Sequence, residues 1–401
     1  MPTNAVIGQS GGPTSVINQS LVGVIRAVQK HDHIDTLLGM RHGVSGAMNE
    51  DFVDLTHAPD ELLSRVAKTP AAALGSTRDK PDEEYCKKVF EVLKKKDVRY
   101  FFYVGGNDSA DTARICNEMA AETGYDLTVF HVPKTIDNDL RVHDHTPGYG
   151  SAAKFVASAH IGDNYDNRSL PGVKINVVMG RHAGFLTAAS ALARKHDEDG
   201  PHLIYVPENP VSEEQFAKDV QEVYDRLGRC LIAVSEGMTH TDGRTFAEHM
   251  NEDLPKDAHG NIQLAGSGAL GDYLQDIVKK HVTDKHGKLR VRADTYGYLQ
   301  RSFPGYVSET DAAEAHKVGE LAVAYSAEKD KQGGSVCMTA NREGGYSVDY
   351  HLEPLANVAR LTKHMPGEFL KGHNDVSAMF LDYARPLVGS LPEVGSLAEL
   401  K

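Results

Sequence analysis

The stretch Leu127-Thr128-Val129-Phe130-His131-Val132-Pro133-Lys134-Thr135-Ile136-Asp137-Asn138-Asp139 decides the fold. Its first half, 127–132, is an apolar run of strand length and reads as a buried strand. Its second half sets two carboxylates, Asp137 and Asp139, where that strand leaves the sheet, with Lys134 just before them. The carboxyl end of a parallel strand is where α/β proteins place their chemistry. Two more strands run into loops of the same kind. Residues 100–104 lead into Gly105-Gly106-Asn107-Asp108-Ser109, and 5–7 lead into Gly8-Gln9-Ser10-Gly11-Gly12-Pro13. Together the three loops suggest a site for phosphate oxygens, a metal and an acceptor hydroxyl.

Outward from this stretch the pattern alternates. Strands are expected at 5–8, 36–41, 99–104, 127–132, 174–179, 203–206 and 230–234. Helices are expected at 14–30, 81–96, 109–123, 151–159 and 184–194, and Ser212-x-x-Gln215 opens another as a capping box. Pro81 near the start of its helix and lysines at the end suit the helix dipole. The alternation predicts an α/β protein of two Rossmann-like, three-layer αβα domains with mostly parallel sheets and a boundary near Pro147-Gly148. Residues 239–261 read as a polar surface insertion, and the chain after Leu381 as a loosely patterned tail.

The bulk properties set limits. A chain of 401 residues buries a large core and divides into about two or three domains. A net charge of −13, with both signs mixed along the chain, argues against nucleic acid and anionic membrane as partners. An anionic substrate then needs a local basic pocket. Cys86, Cys116, Cys230 and Cys337 lie far apart and read as buried free thiols of a reducing compartment. No stretch has the length and apolarity of a membrane span or resembles a signal peptide, so a cytoplasmic protein is expected.

Each loop has a chemical reading. Gly11-Gly12, between a strand and a helix, lets backbone approach a phosphate, although a tight turn needs glycine for steric reasons alone. The G-x-G-x-x-G and G-x-x-x-x-G-K-[ST] patterns are absent there, which argues against a dinucleotide site and a P-loop. Gly106, Asn107 and Asp108 form a loop able to hold phosphate oxygens and the Mg²⁺ that neutralises them, and Ser109 is placed to cap the helix that follows. Of Asp137 and Asp139, one can accept the proton of an attacking hydroxyl while the other orients it or holds Mg²⁺. Arg181, in Met179-Gly180-Arg181, can bridge phosphates, Glu236 can bind sugar hydroxyls, and Arg301, after a Tyr-rich stretch that includes Tyr298, can bind a sugar phosphate. His143-Asp144-His145 also admits a hydrolase metal centre, though no third histidine stands at ligand spacing.

In order along the chain, Gly11-Gly12, Leu74-Gly75-Ser76-Thr77-Arg78, Gly105–Ser109, Thr135–Asp139, Met179-Gly180-Arg181, Ser235-Glu236-Gly237 and Leu299-Gln300-Arg301 resemble the landmarks of the phosphofructokinase family. The resemblance covers the chain from Gly11 to at least Lys317. It implies that Asp137 is the base for the C1 hydroxyl of fructose 6-phosphate, with Thr135 and Asp139 positioning it. It implies that Gly11, Gly12, Arg78, Gly106, Asn107, Asp108 and Lys134 bind the phosphoryl donor, and that Gly11, Arg78 and Arg181 stabilise the phosphoryl group in flight. Thr135, Asp137, Met179, Gly180, Arg181, Glu236, Tyr298 and Arg301 would bind the sugar phosphate. Residues 1–148 and about 309–345 would form the donor domain, 149–308 and about 346–401 the sugar-phosphate domain, with the site in the cleft between them. A homo-oligomer, dimer or tetramer, is implied as well.

Departures from the family pattern bear on the donor. ATP-using members usually carry Gly-Gly-Asp-Gly and Pro-Gly-Thr-Ile-Asp-Asn-Asp, where this chain has Asp108 for the second loop's last glycine and Lys134 for the glycine before Thr135. A carboxylate at 108 fills the volume of a nucleotide's α-phosphate and repels it, whereas pyrophosphate lacks that group. The pair resembles the pyrophosphate-dependent branch. The alternatives are the ATP-dependent reaction and a catalytically silent regulatory subunit, against which Asp137 and Asp139 both argue. Asn107 replaces the family's usual Mg²⁺-contacting aspartate, and Asn107 with Asp108 is expected to hold the metal. Val22 stands where bacterial ATP-using members place the first effector-site arginine, with Arg26 matching the second, so no strong response to nucleotide diphosphate or phosphoenolpyruvate is expected.

Overall fold

A computed structural model describes residues 3–79, 82–250, 268–284, 289–328, 332–395 and 397. Pro81 and residues 251–261, both used in the sequence reading, lie outside them. The strands in chain order are β1 (Asn4–Gln9), β2 (Thr36–Met40), β3 (Phe52–Asp54), β4 (Val98–Gly105), β5 (Thr128–Pro133), β6 (Val173–Val178), β7 (Leu203–Tyr205), β8 (Cys230–Ser235), β9 (Val291–Thr295), β10 (Gly334–Asn341) and β11 (Ser347–Glu353). A short hairpin pairs Leu370–Lys371 with Asp375–Val376.

Two compact units result. The first comprises Met1–Ala152 and Arg301–Lys363, the second Ala153–Gln300 and His364–Lys401. The first holds a seven-stranded sheet in the order β11-β10-β5-β4-β1-β2-β3. Its central pairings are parallel, and only the edge strands β3 and β11 run antiparallel. The second holds a parallel four-stranded sheet in the order β7-β8-β6-β9. The expected α/β class with mostly parallel sheets is therefore what forms. β11 returns on β10, which keeps the chain in the first unit as far as Lys363 instead of leaving it near 345.

Burial follows the apolar runs. In the first unit one core packs Ile7, Phe102, Phe130 and Val132 against the helices Ile17–Val28 and Glu309–Ser326. On the sheet's other face, Val6, Phe101, Tyr103 and Val129 meet the helices Glu83–Lys95 and Asn107–Thr123. Strands covered on both faces read as continuous apolar segments, which is why β1, β4 and β5 are visible in the sequence. The second unit has its own core around Ile175, Ile232, Val234, Phe216 and Leu274. The four cysteines are buried and free, as read.

Several boundaries differ. Half of the capping box forms: Ser212 Oγ accepts from Gln215 N at 3.2 Å, while the Gln215 amide donates to Asp219 Oδ1 at 2.7 Å instead of returning to Ser212 N. Ser109 is not a cap: its helix starts two residues earlier, at Asn107, and the buried hydroxyl donates to Ser10 Oγ at 2.9 Å. The helix expected at 151–159 is Tyr149–Ser169, because Asp311 supplies its start: Gly148 N and Ser151 N donate to that carboxylate at 2.7 and 2.9 Å. Residues 184–194 split into Phe185–Ala188 and a tighter 3₁₀ turn, Ala189–Ala193. Up to Met250 the supposed insertion is integral, since Phe246 and Ala247 on the helix Phe246–Met250 are buried. Nor is the segment after Leu381 a loose tail: the helix Ala378–Val388 buries Phe380, Tyr383, Ala384, Leu387 and Val388.

Candidate active site

In the first unit the three loops expected to carry chemistry leave the carboxyl ends of adjacent strands β1, β4 and β5. Gln9, fully buried at the end of β1, fixes the first loop's surroundings. Its Oε1 accepts from Leu74 N at 2.9 Å, and its Nε2 donates to Asn18 Oδ1 at 3.0 Å. Asn18 in turn donates to Thr69 O at 2.9 Å and accepts from Ala73 N at 2.9 Å. These two amides thus hold the 69–74 segment that leads to Arg78. Gly11 sits at φ +76°, donates to Thr77 O at 2.8 Å and accepts from Ser76 Oγ at 2.6 Å.

Three cations converge on this loop. The ammonium of buried Lys134 donates to Gly12 O at 2.8 Å. A Cβ placed on Gly12 would lie 2.8 Å from the Arg301 guanidinium and 3.8 Å from that of Arg78, so a side chain there would displace the arginines. Burial, and then the charge of Arg301, push Lys134 down to about 8, while Asp137 and Asp139 act the other way. An anion placed here would be met by three positive groups and by glycine amides.

The Thr135–Asp139 segment alternates. Ile136, Asn138 and Leu140 are buried, while Thr135, Asp137 and Asp139 are half-buried on the open side. Asp137 N donates to Thr135 Oγ1 at 3.1 Å, and Asn138 holds φ +60°, a conformation asparagine tolerates better than most residues. Lys363 supports the segment: its backbone N donates to Asp139 O at 2.7 Å, and its ammonium to His143 O at 3.0 Å and Asp144 O at 2.9 Å.

The middle loop is arranged otherwise than its composition suggests. Asn107 Nδ2 donates to Leu361 O at 2.7 Å, and its Oδ1 accepts from Arg360 N at 2.6 Å. The amide clamps the 360–361 backbone. Gly106 precedes the helix Asn107–Thr123, and Asp108 is exposed in its first turn.

In the second unit, Met179, Gly180 and Arg181 follow β6, and Glu236 follows β8, its neighbour in the sheet. Gly180 N points at Glu236 Oε1 at 3.5 Å, Glu236 N donates to Val178 O at 2.8 Å, and Ser235 Oγ donates to Gly180 O. A Cβ on Gly237 would fall 1.9 Å from Arg181 O, so the two loops touch through backbone. Burial raises the Glu236 carboxyl, and the Arg181 charge opposes that rise. Gln300 Oε1 accepts from Met179 N at 3.1 Å, and Glu208 accepts from Gly184 N at 3.0 and 3.1 Å.

The predicted residues therefore gather in two sets. Gly11, Gly12, Arg78, Lys134, Asp137, Asp139 and Arg301 form one in the first unit, and Met179, Gly180, Arg181 and Glu236 form another in the second. Arg301, read with the sugar phosphate, lies against Gly12 in the first unit. Tyr298, in the second, is 47% exposed. The sequence reading missed Gln9, Asn18, Glu208 and Lys363, which hold the loops, and it set Gln300 beside Arg301 for a sugar phosphate without its bond to Met179 N. Gln9 had a signal, a polar residue closing an apolar strand; the others act on partners far along the chain. His145 is bound through both ring nitrogens, to Asp144 at 2.8 Å and Glu314 at 2.7 Å. That arrangement gives the hydrolase metal centre no support.

The family model described as Phosphofructokinase matches residues 4–325. The chain is 55% identical over 386 residues to the pyrophosphate--fructose 6-phosphate 1-phosphotransferase of Rhodospirillum rubrum, covering 96% of this chain and 94% of that protein. It is 35% identical over 420 residues to the enzyme of the same name from Halomonas elongata, covering 99% and 96%. Among solved structures, the pyrophosphate-dependent phosphofructokinase of Nitrosospira multiformis superposes with a TM-score of 0.84 at 31% identity, covering 99% of this chain and 95% of that one.

Proposed function

The chain belongs to the phosphofructokinase family, and from that premise we propose that it transfers a phosphoryl group from pyrophosphate to the C1 hydroxyl of fructose 6-phosphate, reversibly, giving fructose 1,6-bisphosphate and phosphate. The observation that carries the proposal is the convergence of Lys134, Arg78 and Arg301 on Gly11-Gly12, with Asp137 and Asp139 close enough to act on the Lys134 charge. Phosphoryl transfer asks a protein mainly for positioning and charge neutralisation. Asp137 accepts the C1 hydroxyl proton, and Thr135 and Asp139 orient the attack. Lys134 pairs with the terminal phosphate and stabilises the leaving group. Arg78 and Arg181, with the Gly11 amide, stabilise the group in flight. Met179, Gly180, Arg181, Glu236, Tyr298 and Arg301 hold the sugar phosphate.

Carboxylate and phosphate oxygens are the donors a hard divalent cation prefers, so the residues fit Mg²⁺. Asp108 would hold it. Asn107 has one lone pair left beside its bond from Arg360 N, so it offers at most one neutral oxygen. When bound, the ion neutralises phosphate charge. Asp108 also excludes a nucleotide's α-phosphate by volume and charge.

Effector control through the helix Ile17–Val28 is not expected: Val22 is fully buried, and Arg26 is bonded to Asp60 at 2.9 Å and Ser64 at 2.7 Å. The protein acts in the cytoplasm as a homo-oligomer, dimer or tetramer; no helix among the described residues is long and apolar enough to cross a membrane. The deciding experiment is the initial rate with fructose 6-phosphate and Mg²⁺, comparing pyrophosphate with ATP. Turnover with pyrophosphate alone is expected. Turnover with ATP alone overturns the role of Asp108, and turnover with neither overturns the reaction.

A further inference from the structure

Outside the transferase loops, one group of three metal-competent side chains stands out among the described residues: His240, Asp242 and His249, with ligand atoms all within 4.8 Å of one another. They come from a tight turn closed by the bridge between Thr239 and Thr245, and from the helix Phe246–Met250 that follows it. His240 Nδ1 and His249 Nε2 lie 3.3 and 3.2 Å from the same carboxylate oxygen, Asp242 Oδ1. A charge-assisted N–H···O bond is usually shorter, about 2.7–2.9 Å. By contrast, two ligands about 2.05 Å from a tetrahedral ion lie about 3.3 Å apart, the edge seen twice here.

Orientation supports the same reading. Asp242 N donates to His240 Nδ1 at 3.3 Å, so Nδ1 is the unprotonated nitrogen, as a ligand must be, and an ion would take its lone pair from this long contact. The two imidazoles are stacked obliquely, 4.6 Å between centroids, and His240 packs edge-on to Phe246 at 5.7 Å. Phe246 is buried, so the ring has a fixed support. Arg244 holds the carboxylate at both oxygens, Nε donating to Asp242 Oδ2 at 2.9 Å and backbone N to Oδ1 at 3.0 Å, which fixes Oδ1 beside the histidines.

We propose that His240 Nδ1, Asp242 Oδ1 and His249 Nε2 form a binding site for a single borderline transition-metal ion, zinc in type, separate from the Mg²⁺ chemistry of the transferase loops. Two imidazoles and a carboxylate suit Zn²⁺ or Co²⁺ and disfavour Mg²⁺, which takes oxygen ligands. Water fills the remaining position. The ion ties the turn to the helix directly after Ser235-Glu236-Gly237, a segment already anchored by Phe246 N to Met238 O at 3.0 Å and Val211 N to Thr239 O at 3.0 Å. Binding through His249 Nε2 places that ring's proton on Nδ1, which displaces the Arg244 contact at 3.5 Å. Arg244 is thus a built-in competitor.

The test uses the untagged full-length protein with millimolar Mg²⁺ present throughout. Titration with Co²⁺, and with Zn²⁺ by calorimetry, is expected to show one equivalent bound, with the intense visible absorption of tetrahedral cobalt. Asp242→Asn and His249→Ala should each weaken binding by at least the 10- to 100-fold that loss of an outer-shell partner costs. Arg244→Ala should tighten it several-fold, an outcome that unfolding would not mimic. Binding that persists unchanged in both ligand variants, absence of a one-to-one complex in the parent, or weaker binding in Arg244→Ala overturns the site.

Discussion

Lys134 concentrates the physics of the proposed donor site in one side chain. An ammonium taken out of water loses hydration, and two neighbouring arginines add repulsion, so its pKa falls from the ordinary lysine value to about 8. The charged form is therefore complete below that value and is lost as pH rises through it. We expect kcat/KM for pyrophosphate to fall above about pH 8, because that ratio reports the free enzyme. Lys134→Arg should shift the alkaline limb upward, since arginine does not titrate there; a limb that stays in place would assign it to another group. For Asp137, replacement by alanine should lower kcat by about 10²- to 10⁴-fold, the usual worth of a general base, with thermal stability retained because the side chain is half-buried. Turnover within a few-fold of the parent would remove it from the mechanism. That Lys134, Asp137 and Asp139 lie together was legible in the sequence because all three fall within one short loop at a strand end. Lys363, which holds the same segment from more than 200 positions away, was not. Nor was the clamp role of Asn107, since its partners at 360–361 are set by topology alone.

Elements obey the same distinction between local and distant causes. The helix Glu213–Leu227 was legible at its start because its cap lies three residues from its partner. The helix Tyr149–Ser169 was misread at its start because its cap, Asp311, is 163 residues from Gly148. Long-range packing is equally hidden. The helices Ile17–Val28 and Glu309–Ser326 touch through backbone: a Cβ on Gly23 would lie 2.2 Å from His316 O, and one on Gly319 2.2 Å from Ser20 O. Neither glycine has an unusual φ, so each is required for space and not for conformation. Gly23→Ala must push the helices apart inside a close-packed core, and overpacking of this kind costs about 1–3 kcal/mol. Denaturant unfolding should show that loss. A stability equal to the parent's would mean that the helices separate without disturbing the core around Leu21 and Val318.

At the scale of the whole molecule, a net charge of −13 is combined with a local cluster of cations, which is how an acidic protein can take a polyanion. The division of the chain into two units, each with its own sheet and core, allows the two substrates to be assigned by where they slow backbone exchange. Ligand binding stabilises the segments it contacts, by about 2.7 kcal/mol at a hundredfold excess over Kd, and local opening is suppressed accordingly. With pyrophosphate and Mg²⁺, hydrogen exchange should slow at 10–12, 76–78, 106–109 and 134–139, all in the first unit. With fructose 6-phosphate alone it should slow at 179–181 and 235–237 in the second unit, and at 135–137 in the first, around the proposed base Asp137. Arg301 lies in the first unit beside Gly12, so the 299–302 helix is the segment both ligands should protect. Protection of 235–237 by pyrophosphate alone, or no change there with fructose 6-phosphate, would mean that Glu236 and Arg181 do not form the sugar-phosphate site.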